Sequence, residues 1–264
     1  MGVPGLANKV VLVTGGGRGI GRAIAEAFAE AQSFVVIGDI NNEESDAVVS
    51  AINERFGEER AASYRLDVTN YENAKEVVSS ILSRFGKIDI LVNNAGVSTM
   101  APVIELTERD WDFNMNVNAK GVFIMSQLVV RSMIERNVKG KIVNIASQGG
   151  RQGFPFLAHY CASKFAVIGF TQSLALEVAK YGITVNAVCP GFVKTSMQER
   201  EIEWEAKLRG VKPREVIESY LKSIPLGRLQ EPKDVANVVL FLASSLADYI
   251  TGASIEANGG SCMV

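Results

Sequence analysis

The chain has 264 residues, 47% of them hydrophobic and 21% charged, with a formal net charge of -2. That composition lies outside the disordered range, and so mild a charge offers no general surface for nucleic acid or another polyanion. Three cysteines without C-x-x-C spacing and a single histidine, His159, argue against a disulfide framework and a His-based metal site. Neither a basic start nor an apolar signal core opens the sequence, and its apolar runs are strand-sized. A cytoplasmic protein without a membrane partner is expected.

Short apolar runs at 9–14, 34–39, 61–66, 88–92, 141–146, 184–188 and 254–257 predict strands. Most place Val and Ile on consecutive positions, as strands covered on both faces do. Helical spacing predicts helices over 20–31, 73–85, 111–136, 158–181 and 234–243, the last entered through Pro232. This alternation implies a single doubly wound α/β domain of Rossmann type with a parallel sheet, spanning 1–264. Residues 196–223 stand apart as a charged, helix-flavoured insertion, either a substrate lid or a surface excursion.

The first predicted strand runs into Thr14-Gly15-Gly16-Gly17-Arg18-Gly19-Ile20-Gly21 and then a helix. Glycines permit a tight turn and close backbone approach to a pyrophosphate, whose charge the helix N-terminus stabilises. The spacing differs from G-x-G-x-x-G, but its strand-to-helix setting points to a dinucleotide. Asp39 closes the second strand, where a carboxylate accepts ribose hydroxyls and repels a 2′-phosphate. Its alternative role is to form a turn or cap a helix. Arg18 pulls toward a phosphorylated ribose, or else pairs with a pyrophosphate or a surface carboxylate. On balance NAD is expected over NADP.

Tyr160 and Lys164 are one helical turn apart and share a face. A free phenol titrates near pH ~10, and a neighbouring ammonium is expected to lower that value and make a usable base. Ser147 follows a strand at its C-terminal end, where open α/β sheets place ligands, and its hydroxyl can bond a substrate oxygen. The bland reading makes it a turn cap.

These features occur in register with Asp67-Val68, Asn93-Asn94-Ala95-Gly96, Asn118, Tyr160-Cys161-Ala162-Ser163-Lys164 and Pro190-Gly191. Together they make the chain resemble the short-chain dehydrogenase/reductase family from Lys9 to Gly260. The resemblance implies Tyr160 as general acid/base, Ser147 as the group that polarises the substrate oxygen, and Lys164 as partner of Tyr160 and of the nicotinamide ribose. It implies Asn118, rather than Asn116, as the residue that fixes a proton-relay water. It also places Gly15, Arg18, Gly19, Ile20, Gly21 and Asp39 at the pyrophosphate and adenosine, with Asp67 and Val68 at the adenine. Asn94, Ala95 and Gly96 fall along the ribose, and Pro190, Gly191, Val193 and Thr195 along the nicotinamide. A homotetramer is the family expectation.

Within the family, Ala146-Ser147-Gln148-Gly149-Gly150-Arg151 and Asn258-Gly259-Gly260-Ser261 look most like bacterial polyol dehydrogenases of the sorbitol type. The substrate implied is a small alcohol or ketone held by Ser147, Tyr160, Gln148 and Arg151, with Glu199, Glu203 or Trp204 closing from the 196–223 segment. A carbonyl reductase of the 3-oxoacyl or acetoin/butanediol kind shares the same catalytic residues, and a non-catalytic dinucleotide sensor is the rival from another class. His159 points about 100° from Tyr160 around the helix and is expected at a surface or subunit contact. Cys161 is expected to be a packing residue.

Overall fold

Residues 3–57 and 59–264 are described by a computed structural model. Seven strands form one sheet: β1 (Val10–Thr14), β2 (Phe34–Asp39), β3 (Ala61–Arg65), β4 (Ile90–Asn93), β5 (Lys141–Ile145), β6 (Thr184–Pro190) and β7 (Ser254–Ala257). Every pairing is parallel, in the order β3-β2-β1-β4-β5-β6-β7. The order reverses between β1 and β4, and a crevice opens there beyond the strand C-termini.

Alternation along the strands divides the core. Val11 and Val13 of β1 face one side with α1 (Gly19–Glu30), α2 (Asn42–Phe56) and α9 (Pro232–Ala243), where Phe28, Ile52 and Val239 are buried. Val10 and Leu12 face the other side, covered by α3 (Tyr71–Phe85), α5 (Gly121–Glu135) and α6 (Ala158–Val178) through Ile81, Met133 and Val178. The consecutive Val and Ile of the sequence are therefore needed by two separate cores, each of which removes a full apolar face from water.

Two expectations require correction. Helix α2 was not foreseen: its sequence opens on Asn-Glu-Glu-Ser-Asp and buries only Ser45, Val48 and Ile52, too sparse a stripe to announce itself. Its start is secured instead by the Asn41 side chain, which accepts from the Glu44 N–H at 3.3 Å. The single helix expected over 111–136 is divided into α4 (Glu108–Met115), a π turn (Asn116–Lys120) and α5. The widened turn shifts the helical phase at Asn118 without breaking the helix, a device that periodicity alone does not disclose.

The insertion 196–223 consists of α7 (Ser196–Arg209) and α8 (Pro213–Ser223). Ile202, Ala206, Val216 and Tyr220 form a small core of their own. Tyr220 stacks on Phe192 with ring centroids 4.0 Å apart, which fastens this layer to the segment after β6.

A buried polar chain ties the sheet to the helices behind the crevice. Asn93 donates to Asn144 (2.8 Å) and Ser126 (3.0 Å), and Asn144 donates to Thr171 (2.9 Å). Each amide lies at the core of the sheet, where lost hydrogen bonds leave desolvated groups unpaired.

Candidate active site

At the switch point lies a cleft of about 810 Å³. One end begins at the glycine turn. Gly15 has a φ of +64°, and a Cβ there would lie 2.8 Å from the Ala95 backbone. At Gly21 a Cβ would meet the Gly15 carbonyl at 2.0 Å. Only glycine allows the turn to fold this closely onto the following strand end. Asn94 holds it there, donating to the carbonyls of Thr14 (3.1 Å) and Gly15 (2.9 Å), while Thr14 Oγ1 accepts from the N–H groups of Asn94 and Ala95 at 3.0 Å each. Asn94 is thus a brace for the turn as well as part of the cleft wall.

Asp39 stands at the end of β2 and lines the cleft. Its Oδ2 accepts from the Gly17 N–H at 2.9 Å and its Oδ1 from Asn41 N–H at 3.0 Å. The carboxylate therefore forms a turn and also faces the adenosine end of the cleft. Arg18 turns toward Glu44, 3.5 Å away. Asp67, with its side chain accepting from Thr69, and Val68 continue this wall. The residues fit a dinucleotide: a Cβ-free turn at the N-terminus of α1, with a carboxylate placed for a ribose diol.

At the other end the structure brings together Ser147, Tyr160, Lys164 and Asn118. Ser147 follows β5, accepts from the Gly149 N–H at 3.0 Å, and lies close enough to the Tyr160 phenol to favour the phenolate. Its capping role and its contact with Tyr160 coexist. Lys164 rises from α6 beneath Tyr160, with Nζ 5.7 Å from the ring centroid, and donates to the Ile145 carbonyl at 2.9 Å. Asn118 Oδ1 accepts from the Val97 N–H (2.8 Å), and its amide donates to the Val97 carbonyl (2.9 Å) and to Ser163 (3.0 Å). The side chain is fully engaged in joining the π turn to α6 and to the strand end after β4.

The electrostatics correct one expectation. Burial first, then the Glu201 carboxylate, pushes the Tyr160 phenol above its ordinary range, while the nearby Ser147 hydroxyl opposes them. Lys164 is lowered from 10.5 to about 8 by burial. The protein alone therefore holds the phenol proton tightly rather than releasing it.

Five further residues are placed otherwise than expected. Arg151 lies outside the cleft: its guanidinium sits 2.8 Å from Glu256 and donates to the Val264 carbonyl at 2.7 Å, because the chain terminus folds back over this loop. His159 is fully buried, with Nε2 2.7 Å from Thr99 Oγ1, and burial lowers its pKa. Its side of α6 packs on α4 and the loop before it, not on solvent. Glu199 and Glu203 are exposed, and Trp204 stacks with Arg200. The cleft instead receives Met197, Gln198, Glu201 and Glu205, the opposite register of α7. Gln148 lines the cleft as expected, with Oε1 accepting from Ser261 at 2.6 Å.

The nicotinamide-side candidates Pro190, Gly191, Val193 and Thr195 line the same wall. Thr195 also caps α7, accepting from the Gln198 N–H at 3.3 Å. Apolar residues that the sequence did not mark, Phe154, Phe156 and Phe192 among them, complete the substrate end. Among the described residues no cluster could hold a metal ion, and no helix is long and apolar enough to cross a membrane.

The short chain dehydrogenase family model matches residues 9–206. The chain is 42% identical to a 3-oxoacyl-[acyl-carrier-protein] reductase of Thermotoga maritima over 255 residues, 97% of this chain and 98% of that protein. It is 41% identical to a galactitol 2-dehydrogenase of Agrobacterium fabrum, over 98% of this chain and 99% of the other. The crystal structure of sorbitol-6-phosphate 2-dehydrogenase from Erwinia amylovora superposes with a TM-score of 0.92 at 35% identity, covering 97% of this chain and all of that one. With this site on this sheet, the chain belongs to the short-chain dehydrogenase/reductase family of oxidoreductases that act on CH–OH groups.

Proposed function

We propose that the protein is an NAD-dependent dehydrogenase that oxidises a secondary hydroxyl of a neutral polyol, reversibly. The observation that supports this reading best is the convergence of Ser147, Tyr160 and Lys164 at the end of a cleft whose other end presents Asp39. The nicotinamide supplies the hydride acceptor when bound. Ser147 donates to the substrate oxygen and fixes it beside the phenol, and Tyr160 takes or gives the hydroxyl proton at its Oη. Lys164 keeps an ammonium beneath the ring, where it favours the phenolate and can reach the nicotinamide ribose. Asn118 braces the π turn against Val97 and Ser163, which keeps that wall fixed as charge moves.

Similarity to the galactitol 2-dehydrogenase and to a Cereibacter sphaeroides sorbitol dehydrogenase supports a polyol. The 3-oxoacyl and diacetyl reductases among the relatives support the rival, a carbonyl reductase with the same residues. Helices α7 and α8 act as the substrate lid in either case. The exposed apolar side chains Phe123 of α5 and Phe165 and Leu176 of α6 support assembly as a homotetramer.

The deciding experiment is a panel of C4–C6 polyols, secondary alcohols and ketones assayed with NAD and NADP in parallel. NAD-linked polyol oxidation is the expected result, and activity confined to ketones would transfer the assignment to the reductase. NAD should exceed NADP in kcat/KM by at least about tenfold, because Asp39 would face the added phosphate. Asp39→Ser should reduce that preference by a similar factor. Equal use of both cofactors by the wild type would mean that Arg18 prevails.

A further inference from the structure

The lid helix α7 presents the cleft with a carboxyl that the fold does not neutralise. Met197, Gln198, Glu201 and Glu205 follow one another at helical spacing along its inner face. Glu205 is satisfied: it pairs with Arg209 at 2.6 Å and accepts from the Tyr220 hydroxyl. Glu201 differs. Its one hydrogen bond among the described residues is from the Gln198 amide at 3.3 Å, and it forms no salt bridge there. The charged groups around it are few. Arg200, on the same helix, leans over Trp204, and Glu205 adds a like charge from the next turn. The Ser98 hydroxyl faces Glu201 from the loop after β4, close enough to favour the ionised carboxyl but without ordinary hydrogen-bond geometry.

Burial raises the pKa of Glu201, and the Glu201 charge in turn raises that of Tyr160. Its field therefore reaches the reacting end of the cleft. A partly buried carboxyl with one long protein hydrogen bond is held at a cost that a donor from the ligand would offset.

We propose that Glu201 is the specificity-determining residue of this cleft: its carboxyl accepts a hydroxyl of the substrate beyond the reacting carbon and excludes substrates that carry an anion there. The substrate class is thereby a neutral polyhydroxy compound, and phosphorylated sugar alcohols are rejected. Arg209, the α7 cation that lines this cleft, is already engaged by Glu205. The inference rests on the alcohol–ketone reading only for the position of the reacting carbon.

The test is binding to the enzyme loaded with NADH, in which an alcohol forms a ternary complex but cannot react. Sorbitol and sorbitol 6-phosphate are titrated calorimetrically into the wild type, Glu201→Gln and Glu201→Leu. The wild type should bind sorbitol at least about tenfold more tightly than its phosphate, as expected for like charges at close range in a desolvated site. Glu201→Gln should keep sorbitol binding within about threefold and shrink the discrimination by about tenfold. Glu201→Leu should also weaken sorbitol by about tenfold, since the hydroxyl loses its acceptor. Equal affinity of the wild type for both compounds, no binding of either, or unchanged discrimination in Glu201→Gln would each overturn the proposal. Discrimination in binding without polyol turnover would instead overturn only the dehydrogenase reading, and turnover without discrimination only the role of Glu201.

Discussion

Tyr160→Phe is expected to lower turnover by about 10²–10⁴-fold in both directions while leaving NAD binding and the melting temperature nearly unchanged. The ring remains to pack above Lys164, and only the hydroxyl is lost. The wild-type pH profile should carry the same information. Burial and Glu201 hold the phenol proton tightly, so the base form needed for oxidation grows as pH rises, and the acid form needed for reduction is lost. Oxidation should therefore climb with pH toward the alkaline side, and reduction should fall. In Tyr160→Phe the residual rate should lose that dependence. Wild-type rates in the variant, or an oxidation profile that falls with pH, would remove Tyr160 from the acid/base role.

The glycine turn and the two-sided sheet are legible in the sequence. Gly15 and Gly21 announce a turn that no Cβ could enter, and the structure gives the steric reason in the Ala95 backbone and the Gly15 carbonyl. Consecutive Val and Ile in the first, second, fourth and fifth strands announce a sheet buried on both faces. The rest depends on contacts between distant segments. Helix α2 has too few apolar positions to show a period, and its existence depends on packing against the sheet. The phase of α7 is not readable locally, because Glu199, Glu201, Glu203 and Glu205 alternate along a charged stretch; only the packing of Ile202 and Ala206 against α8 decides which carboxyls turn inward. The surroundings of His159 and Arg151 are hidden for a related reason. Their partners, Thr99 and Glu256, come from remote loops that local spacing does not bring together.

The same remoteness governs Lys164, whose replacement by Met should reveal a conflict between stability and catalysis. Burial moves its ammonium from 10.5 to about 8. At about 1.4 kcal/mol per unit, keeping the charge inside costs roughly 3 kcal/mol near pH 7. The sign follows from proton uptake: between pH 8 and 10.5 the unfolded chain binds the proton that the folded one releases, so this group makes the wild type more stable as pH rises through that window. Lys164→Met removes the burden but orphans the Ile145 carbonyl, which Nζ contacts at 2.9 Å, a loss of about 1–3 kcal/mol. The net effect should lie between about 0 and 2 kcal/mol of added stability at pH 7, together with loss of the pH-dependent gain above pH 8. Turnover should fall by about 10²-fold or more, since the phenol would lose the cation beneath it. Chemical denaturation of both proteins at pH 7 and pH 9.5, beside a steady-state assay, measures both sides. A variant destabilised by more than about 1 kcal/mol at pH 7 would show that the buried ammonium supports the fold, and a variant that turns over normally would remove Lys164 from the chemistry.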